Sequence, residues 1–282
     1  MHPKQLDILA DVIIALKEDL GSGDVSSALI SANIKAYATI ITREPLLVCG
    51  IQWCTAVFKT INPGITLEWL VQEGSWIAGP TILCKIYGDA KDVLTAERTA
   101  LNFLQTLSGT ATKTYSYIQI IQGTSTKILD TRKTLPGLRL AQKYAVACAG
   151  GYNHRFGLYD AYLIKENHIQ ACGSITNAVL RARKANSKLF LEIEVQNLTE
   201  FDEAMRSKPD RILLDNFSIY DIQQAISMNT NYNYELEASG GINLMNIAAF
   251  AATGIHWIAI GDLTKSVRAI DLSLLIEGQG DV

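Results

Sequence analysis

After Thr126 the sequence repeats one pattern six times: a short apolar run that ends in polar residues or glycine, with helical stretches between most of the runs. The runs are KILDTRK, AYLIKEN, FLEIEV, RILLDN, YELEASGG and WIAIGDL. Strands that alternate with helices form a parallel sheet, because each helix returns the chain to the same end. Six units, or seven with an irregular one, favour a closed or nearly closed α/β barrel over a doubly wound sheet. No GxGxxG follows the first run, which also disfavours a dinucleotide-binding fold.

The earlier part of the chain has a different pattern. Apolar spacing predicts a helix over Leu6–Leu20 that ends at GSGD, and β-rich segments between Ala36 and Gly88 predict an antiparallel sheet. A helical pattern from Val93 to Gly123 leads into the barrel. We therefore predict a first domain over 1–108, a catalytic barrel over 109–265, and a C-terminal helix over 266–282 that folds back onto the first domain.

Composition excludes several classes of protein. The net charge is −3 and there is no long Lys/Arg run, so nucleic acid is not an expected partner. No apolar run approaches the roughly 20 residues that span a bilayer, and the start does not resemble a signal peptide. The five cysteines are an odd number without a CxxC pair, which predicts reduced thiols and a cytoplasmic protein.

Charged or small residues follow nearly every predicted strand. In an α/β barrel the carboxyl ends of the strands surround one active site, so these residues are expected to converge. A single strand-end carboxylate is more often a helix cap or an ion-pair partner, but six consecutive strands make that explanation improbable. The residues are Asp130, Arg132 and Lys133; Lys165, Glu166 and Asn167; Glu192 and Glu194; Asp215 and Asn216; Ser239, Gly240 and Gly241; and Gly261 and Asp262.

Positive charge is concentrated in the early part of the barrel. So many cations in one cavity would repel one another unless a multiply charged anion lay among them. Arginine grips a carboxylate or phosphate with a planar fork and lysine acts as a point charge, so the mixture suits a ligand that carries both groups. The alternative is that Arg132 and Lys133 pair with Asp130 and Glu166. The cations are Arg132, Lys133, His154, Arg155 and Lys165.

The later strands offer carboxylates and glycines. Glu194 and Asp215 are candidates for contacts with ribose hydroxyls or Mg²⁺, which prefers oxygen ligands and keeps several waters. Ser239 to Gly241 and Gly261 expose backbone N–H groups of the kind that hold a phosphate. Lys165 leaves a different chemistry open, because a lysine on a barrel strand can form a Schiff base with a carbonyl substrate.

Six segments in order resemble the quinolinate phosphoribosyltransferase family: TAERTALNFLQTLSGTAT, ILDTRKTLPGLR, GGYNHRFGLYDAYLIKENHI, EIEV, ILLDN and EASGGI. The resemblance runs from EDLGSGDVSS to the last predicted helix. It implies an incomplete, TIM-like α/β barrel preceded by an open-faced α/β sandwich. It also implies a Mg²⁺-dependent transfer from 5-phosphoribosyl 1-pyrophosphate to quinolinate, with decarboxylation to nicotinate mononucleotide in NAD biosynthesis. A homodimer or larger assembly is expected.

The resemblance also implies residue roles. Arg132, His154, Arg155 and Lys165 would hold the quinolinate carboxylates, with Lys133 near the phosphoribosyl donor and Arg98 reaching the neighbouring subunit's site. Glu194 and Asp215 would contact the ribose hydroxyls and magnesium, directly or through water. The 5-phosphate would lie on Ser239, Gly240, Gly241 and Gly261. Thr131 joins the predicted substrate-binding residues, and the predicted catalytic residues are Lys133, Lys165, Glu194 and Asp215.

Three positions depart from the family pattern. Gln196 stands where many members have an acidic residue, and GDLTKS places Asp262 and Lys265 where a small residue and a histidine are common. Lys265 is either a phosphate contact or a surface residue. The competing functions are a related transferase that acts on nicotinate without decarboxylation, a Schiff-base lyase that uses Lys165, and a catalytically silent binding protein.

Overall fold

A computed structural model describes residues 8–31 and 34–279 of the protein, which form two compact units. Unit 1 takes the described residues of 1–115 together with 135–149 and 266–279, and unit 2 takes 116–134 and 150–265. The division therefore falls at Tyr115 rather than near Ser108, and the segment 135–149 belongs with unit 1 instead of the barrel.

Unit 1 is built around a four-stranded antiparallel sheet, as the β-rich segments predict. Its elements are α1 (Ile8–Leu20), a 3₁₀ turn (Ser27–Leu29), β1 (Lys35–Thr42), β2 (Leu46–Leu47), α2 (Ile51–Ile61), β3 (Thr66–Trp69), β4 (Trp76–Ile77), β5 (Thr81–Asp89) and α3 (Ala90–Ile120), which continues past Tyr115 into unit 2. The start of the helix expected from Leu6 and the last residues of the chain lie outside the described residues.

One face of this sheet is buried and the other is open. Ala38, Ile40 and Leu83 are buried in a core that also contains Trp53 of α2. On the opposite face Tyr37 and Tyr87 pair across β1 and β5, with ring centroids 4.7 Å apart, and both are exposed. The unit is thus an antiparallel sheet covered by helices on one side.

The expected C-terminal helix is wrong. Leu272–Gln279 forms a strand that pairs antiparallel with β1, which gives the strand order C-terminal strand, β1, β5, β3. The segment does return to unit 1, but as a sheet strand, because β1 offers it a free edge with hydrogen-bonding groups that a helix could not use.

Unit 2 contains all six predicted strands, paired in parallel. The remaining elements of the chain are β6 (Lys127–Leu129), α4 (Arg139–Cys148, in unit 1), β7 (Ala161–Ile164), α5 (Glu166–Cys172), α6 (Ile175–Ala185), β8 (Phe190–Val195), α7 (Leu198–Ser207), β9 (Arg211–Asp215), α8 (Ile219–Asn229), β10 (Glu235–Ser239), α9 (Ile247–Ala251), β11 (Trp257–Ala259), α10 (Asp262–Lys265) and β12 (Leu272–Gln279, in unit 1).

The parallel sheet runs in the order β6, β11, β10, β9, β8, β7 and gives a barrel-like domain. Tyr152 adds an isolated parallel bridge to Leu129 of β6, which matches the expected irregular unit. Side-chain oxygens of Ser174, Asn197 and Ser218 accept backbone N–H hydrogen bonds at the starts of α6, α7 and α8. These caps end the loops that leave the sheet and fix where each helix begins.

The described helices include none that is both long and apolar enough to cross a membrane.

Candidate functional site

A cavity of about 320 Å³ lies within unit 2 and collects residues from most of the strand ends. It brings together most of the predicted site residues, as expected for the carboxyl ends of barrel strands. Its lining consists of Thr131, Arg132, Lys133, His154, Arg155, Leu163, Lys165, Glu194, Leu213, Glu237, Ser239 and Ala259.

Arg155 is partly buried in this cavity, close to a second positive charge. Burial, and then the charge of Arg132, lowers the pKa of Arg155 below its ordinary value. The Nε atom of Arg155 is buried without a hydrogen-bond acceptor among the described residues, while its Nη1 donates to the Ala161 carbonyl at 3.2 Å. A carboxylate or phosphate that entered the cavity would stabilise this guanidinium, because it would supply both a negative charge and a hydrogen-bond acceptor.

Lys165 forms an ion pair with Glu194 across β7 and β8. Neighbouring strands thus bring an early cation and a later carboxylate together, as the predicted convergence of the strand ends requires. Lys165 is 45% exposed, and its Nζ is engaged by the Glu194 carboxylate. A Schiff-base lysine needs a free amine, so this arrangement disfavours that alternative.

Lys133 lies over Gly261, the glycine at the end of β11. A Cβ atom at position 261 would come within 2.9 Å of Lys133 Cδ and 3.5 Å of Thr131 Oγ1. The backbone of Lys133 is held on both sides, since its N–H donates to Thr131 Oγ1 at 3.1 Å and its carbonyl accepts from Thr264 Oγ1 at 2.8 Å. Glycine at 261 thus leaves room for the Lys133 side chain beside the backbone that follows β11.

Asp215 and Ser239 end adjacent strands at the same register position. Asn216 donates its backbone N–H to the Ser239 carbonyl at 2.8 Å, and its side chain donates to Asp215 at 2.9 Å. Gly240 has φ +98, and a Cβ atom there would lie 2.1 Å from Asn216 Oδ1. Asp215, Gly240, Gly241 and Gly261 border the strand ends but do not line the cavity itself.

Two buried carboxylates lie beneath His154: Glu192, which sequence reasoning placed among the converging residues, and Glu237, which it missed. The ring Nε2 lies 2.7 Å from Glu192 Oε2 and 3.7 Å from Glu237 Oε1, and both carboxylates are buried. Burial, and then the charge of Glu192, raises the pKa of Glu237 well above its ordinary value. Arg211 Nη1 donates to Glu237 at 3.2 Å from the other side. One sequence feature could have indicated these carboxylates: the pattern Glu-x-Glu occurs in both FLEIEV and YELEASGG.

Four other positions are not among the residues that line this cavity. Arg98 belongs to α3 in unit 1, where its side chain is 61% exposed and 3.9 Å from Glu97. Lys265 is exposed on α10, and Asp262 begins that helix. Gln196 donates to Glu166 at 3.1 Å, which gives Glu166 a neutral partner at the position where many family members have an acid.

Two family models match nearly the whole described chain. The quinolinate phosphoribosyl transferase N-terminal domain matches residues 24–108, and the C-terminal domain of the same enzyme matches residues 110–275. The chain belongs to the quinolinate phosphoribosyltransferase family. The predicted α/β fold, an N-terminal antiparallel sheet domain and a barrel-like C-terminal domain, is thereby confirmed.

Individual members of the quinolinate phosphoribosyltransferase family are similar to this chain over nearly their full length. A nicotinate-nucleotide pyrophosphorylase (carboxylating) of Mycobacterium leprae is 40% identical over 92% of this chain and 94% of its own. The solved nicotinate-nucleotide pyrophosphorylase of Francisella tularensis is 43% identical, covers 98% of each chain and superposes with a TM-score of 0.92. Human nicotinic acid phosphoribosyltransferase, 12% identical with a TM-score of 0.65, shares the fold alone.

Proposed function

We propose that the protein transfers the 5-phosphoribosyl group of 5-phosphoribosyl 1-pyrophosphate to the ring nitrogen of quinolinate and releases carbon dioxide. The products are nicotinate mononucleotide, pyrophosphate and CO₂, a step of NAD biosynthesis. The observation that carries this proposal is a cation-lined cavity of about 320 Å³ at the strand ends of a chain that belongs to this family.

Quinolinate has two adjacent carboxylates, and the cavity offers three cationic side chains to hold them. Arg132 and Arg155 would bind the carboxylates through paired N–H groups, and Lys165 would add a point charge. Nicotinate has only one carboxylate, so it would make fewer charge-assisted hydrogen bonds with this set of cations than quinolinate would. The cavity therefore favours the dicarboxylate.

The phosphoribosyl donor would lie on the later strands. Lys133 sits above Gly261 and would contact the pyrophosphate, while Thr131, Ser239, Gly240, Gly241 and Gly261 would bind phosphate through hydroxyl and backbone groups. Glu194 and Asp215 end neighbouring strands and supply only carboxylate oxygens, a donor set that fits Mg²⁺. When bound, the ion would neutralise charge on the pyrophosphate.

The reaction needs positioning and electrostatics more than a nucleophilic side chain. The lone pair of the pyridine nitrogen forms a bond to the anomeric carbon as the bond to pyrophosphate breaks, through a cationic transition state that Glu194 and Asp215 would stabilise. The ring nitrogen is then positively charged. When the 2-carboxylate leaves as CO₂, this charge stabilises the electron pair left on the ring carbon, which a solvent proton then quenches. Arg155 and Arg132 hold the remaining carboxylate throughout.

We further propose that the protein acts as a homodimer, or a larger assembly of dimers, in the cytoplasm. Arg98 would enter the site of the neighbouring subunit, and its exposed side chain has only Glu97 as an ion-pair partner among the described acidic residues. All five cysteines are free thiols, which fits a reducing compartment.

A steady-state assay tests the proposal. Carboxyl-labelled quinolinate, 5-phosphoribosyl 1-pyrophosphate and Mg²⁺ should yield CO₂ and nicotinate mononucleotide in equal amounts, and omission of any one component should abolish both. Nicotinate in place of quinolinate should give little product. Folded protein that forms neither product would contradict the proposal, and borohydride trapping of a lysine adduct would favour the Schiff-base chemistry instead.

A further inference from the structure

Lys133 belongs to a short segment without regular secondary structure. β6 ends at Leu129, and the residues 130–134 that follow it form neither helix nor strand. Within this segment the Lys133 N–H donates to Thr131 Oγ1 at 3.1 Å, and the Lys133 side chain is exposed. Because such a segment lacks the hydrogen-bond ladder of a helix or sheet, single contacts from other elements decide where its backbone lies.

One such contact comes from Thr264 in α10. Its Oγ1 donates a hydrogen bond to the Lys133 carbonyl at 2.8 Å, although the two residues are 131 positions apart. Thr264 is fully buried and is not among the residues that line the cavity of unit 2. A hydrogen bond with a buried donor is costly to break, so this contact fixes the Lys133 backbone against α10.

The residue just before α10 lies against the Lys133 side chain. A Cβ atom at Gly261 would be 2.9 Å from Lys133 Cδ and 3.7 Å from its Nζ. β11 is in turn bound to β6, because the Ile260 N–H donates to the Leu129 carbonyl at 2.9 Å. Residues 260–264 therefore meet Lys133 in two places, at its carbonyl and at its side chain, and its ammonium lies beside the Gly261 backbone.

We propose that Thr264 is a positioning residue for the phosphoribosyl donor: its hydroxyl fixes the Lys133 backbone and thereby keeps the lysine ammonium beside Gly261. The proposal rests on the function proposed above, in which Lys133 contacts the pyrophosphate and Gly261 contacts the 5-phosphate. Both phosphate contacts then depend on one short stretch of chain. Preorganisation of this kind lowers the cost of binding a flexible ligand that carries several charges.

Three substitutions separate the hydroxyl of Thr264 from the bulk of its side chain. Thr264→Val replaces the hydroxyl with a methyl group, and the KM for 5-phosphoribosyl 1-pyrophosphate should rise about 5-fold or more, the scale of one lost hydrogen bond. Thr264→Ser keeps the hydroxyl, so this KM should stay within about twofold of that of the unmodified protein. The KM for quinolinate should change by less than about twofold in both variants. Thr264→Ala, which adds no methyl group against the carbonyl, should reproduce the valine result if the valine variant does not fold.

Thr126 offers a matched control in the same unit. It is buried, its Oγ1 donates to the Ile255 carbonyl at 2.7 Å, and it does not line the cavity. Thr126→Val should lower the free energy of unfolding as Thr264→Val does, but it should leave the KM for both substrates within about twofold. An equal rise of both KM values in Thr264→Val would overturn the proposal, as would a rise specific to the donor in Thr126→Val.

Titration calorimetry with inorganic pyrophosphate gives a readout that needs no turnover. The Kd for pyrophosphate should rise about 5-fold or more in Thr264→Val and stay within about twofold in Thr264→Ser and Thr126→Val. Pyrophosphate that does not bind the unmodified protein, or that binds folded Thr264→Val protein equally well, would overturn the proposal.

The calorimetry also separates this inference from the proposed function. A protein that shows the expected pattern of pyrophosphate affinities yet forms no nicotinate mononucleotide would contradict the proposed function and would still support the positioning of Lys133 by Thr264. A protein that forms the product but binds pyrophosphate equally well with threonine or valine at position 264 would contradict only the inference.

Discussion

The antiparallel sheet of unit 1 covers side chains such as Ile40 and Leu83, whereas the parallel sheet of unit 2 also buries carboxylates. Among the described residues, the buried acids are Asp130, Glu192 and Glu237, and all three belong to unit 2. Buried charge costs free energy unless partners offset it, so a sheet needed only for folding would use hydrocarbon instead. The buried carboxylates indicate that unit 2 gives up some stability to organise its site.

The largest effect is expected in unit 2 when Arg155 is replaced. Arg155→Ala should lower kcat/KM for quinolinate about 100-fold or more, because two hydrogen bonds to a charged carboxylate are each worth roughly 1.5–3 kcal/mol. The free energy of unfolding should change little. Arg206→Ala is the control, since Arg206 is exposed and pairs only with Asp202 on its own helix. Equal losses of activity in the two variants would contradict the assignment.

Mixing two inactive variants tests whether Arg98 of unit 1 acts in the site that contains Lys165 in unit 2 of the partner subunit. Arg98→Ala and Lys165→Ala should each be nearly inactive, and a mixture allowed to exchange subunits should recover about a quarter of the activity. The reason is that half of the dimers would then be mixed, and each mixed dimer contains one site with both residues intact. No recovery after demonstrated subunit exchange would show that Arg98 does not enter the partner's site.

In unit 1 the expected effect is on stability. Leu83→Ala should lower the free energy of unfolding by about 2–5 kcal/mol, because Leu83 is fully buried and its loss leaves a cavity. Ile82→Ala on the same strand is the control, since Ile82 is 38% exposed. Denaturant melts measure both, and kcat/KM of the folded molecules should stay unchanged. A large loss of kcat/KM in folded Leu83→Ala protein would contradict this prediction.

The smallest effect concerns Asp24 and depends on pH. Hydrogen bonds from the Ser27 side chain and backbone, and then from Thr95, lower the pKa of Asp24 to about 2. A lowered carboxyl pKa stabilises the folded protein above the unfolded value, and that contribution is lost as pH falls towards 2. Asp24→Asn should therefore lower Tm modestly at pH 7 and by less and less at acid pH. Asp19→Asn, which removes one acceptor for Thr99 at 3.2 Å, should show a smaller difference.

Much of the fold of unit 2 could be predicted from the sequence, because short segments of the chain mark each of its strands. Each apolar run that ends in polar residues marks a strand and the edge where its side chains meet, so Arg132, Lys165 and Glu194 were expected together. Glu237 was missed because it lies inside a strand, where alternation rather than position at the strand end decides which face it occupies.

Other features depend on distant parts of the chain. The last residues were expected to be helical, but the free edge of β1 decides their conformation, and no local pattern reveals it. The unit boundary was misplaced because α3 is one continuous helix, and nothing in its periodicity changes at Tyr115. Likewise, Ala141 and Ala145 of α4 pack into the core of unit 1, which explains why 135–149 leaves the barrel.

The pairing of β12 with β1 has a consequence during synthesis. Arg43, just after β1, and Ser273 of β12 are hydrogen-bonded although they are 230 positions apart. At a synthesis rate of about 5–20 residues per second, β12 would be made on the order of 10–50 s after β1. Until then β1 would have only β5 as a neighbouring strand. All six strands of unit 2 would emerge first. During that interval the nascent chain carries an open sheet edge, the kind of surface that chaperones cover and that other nascent chains can join.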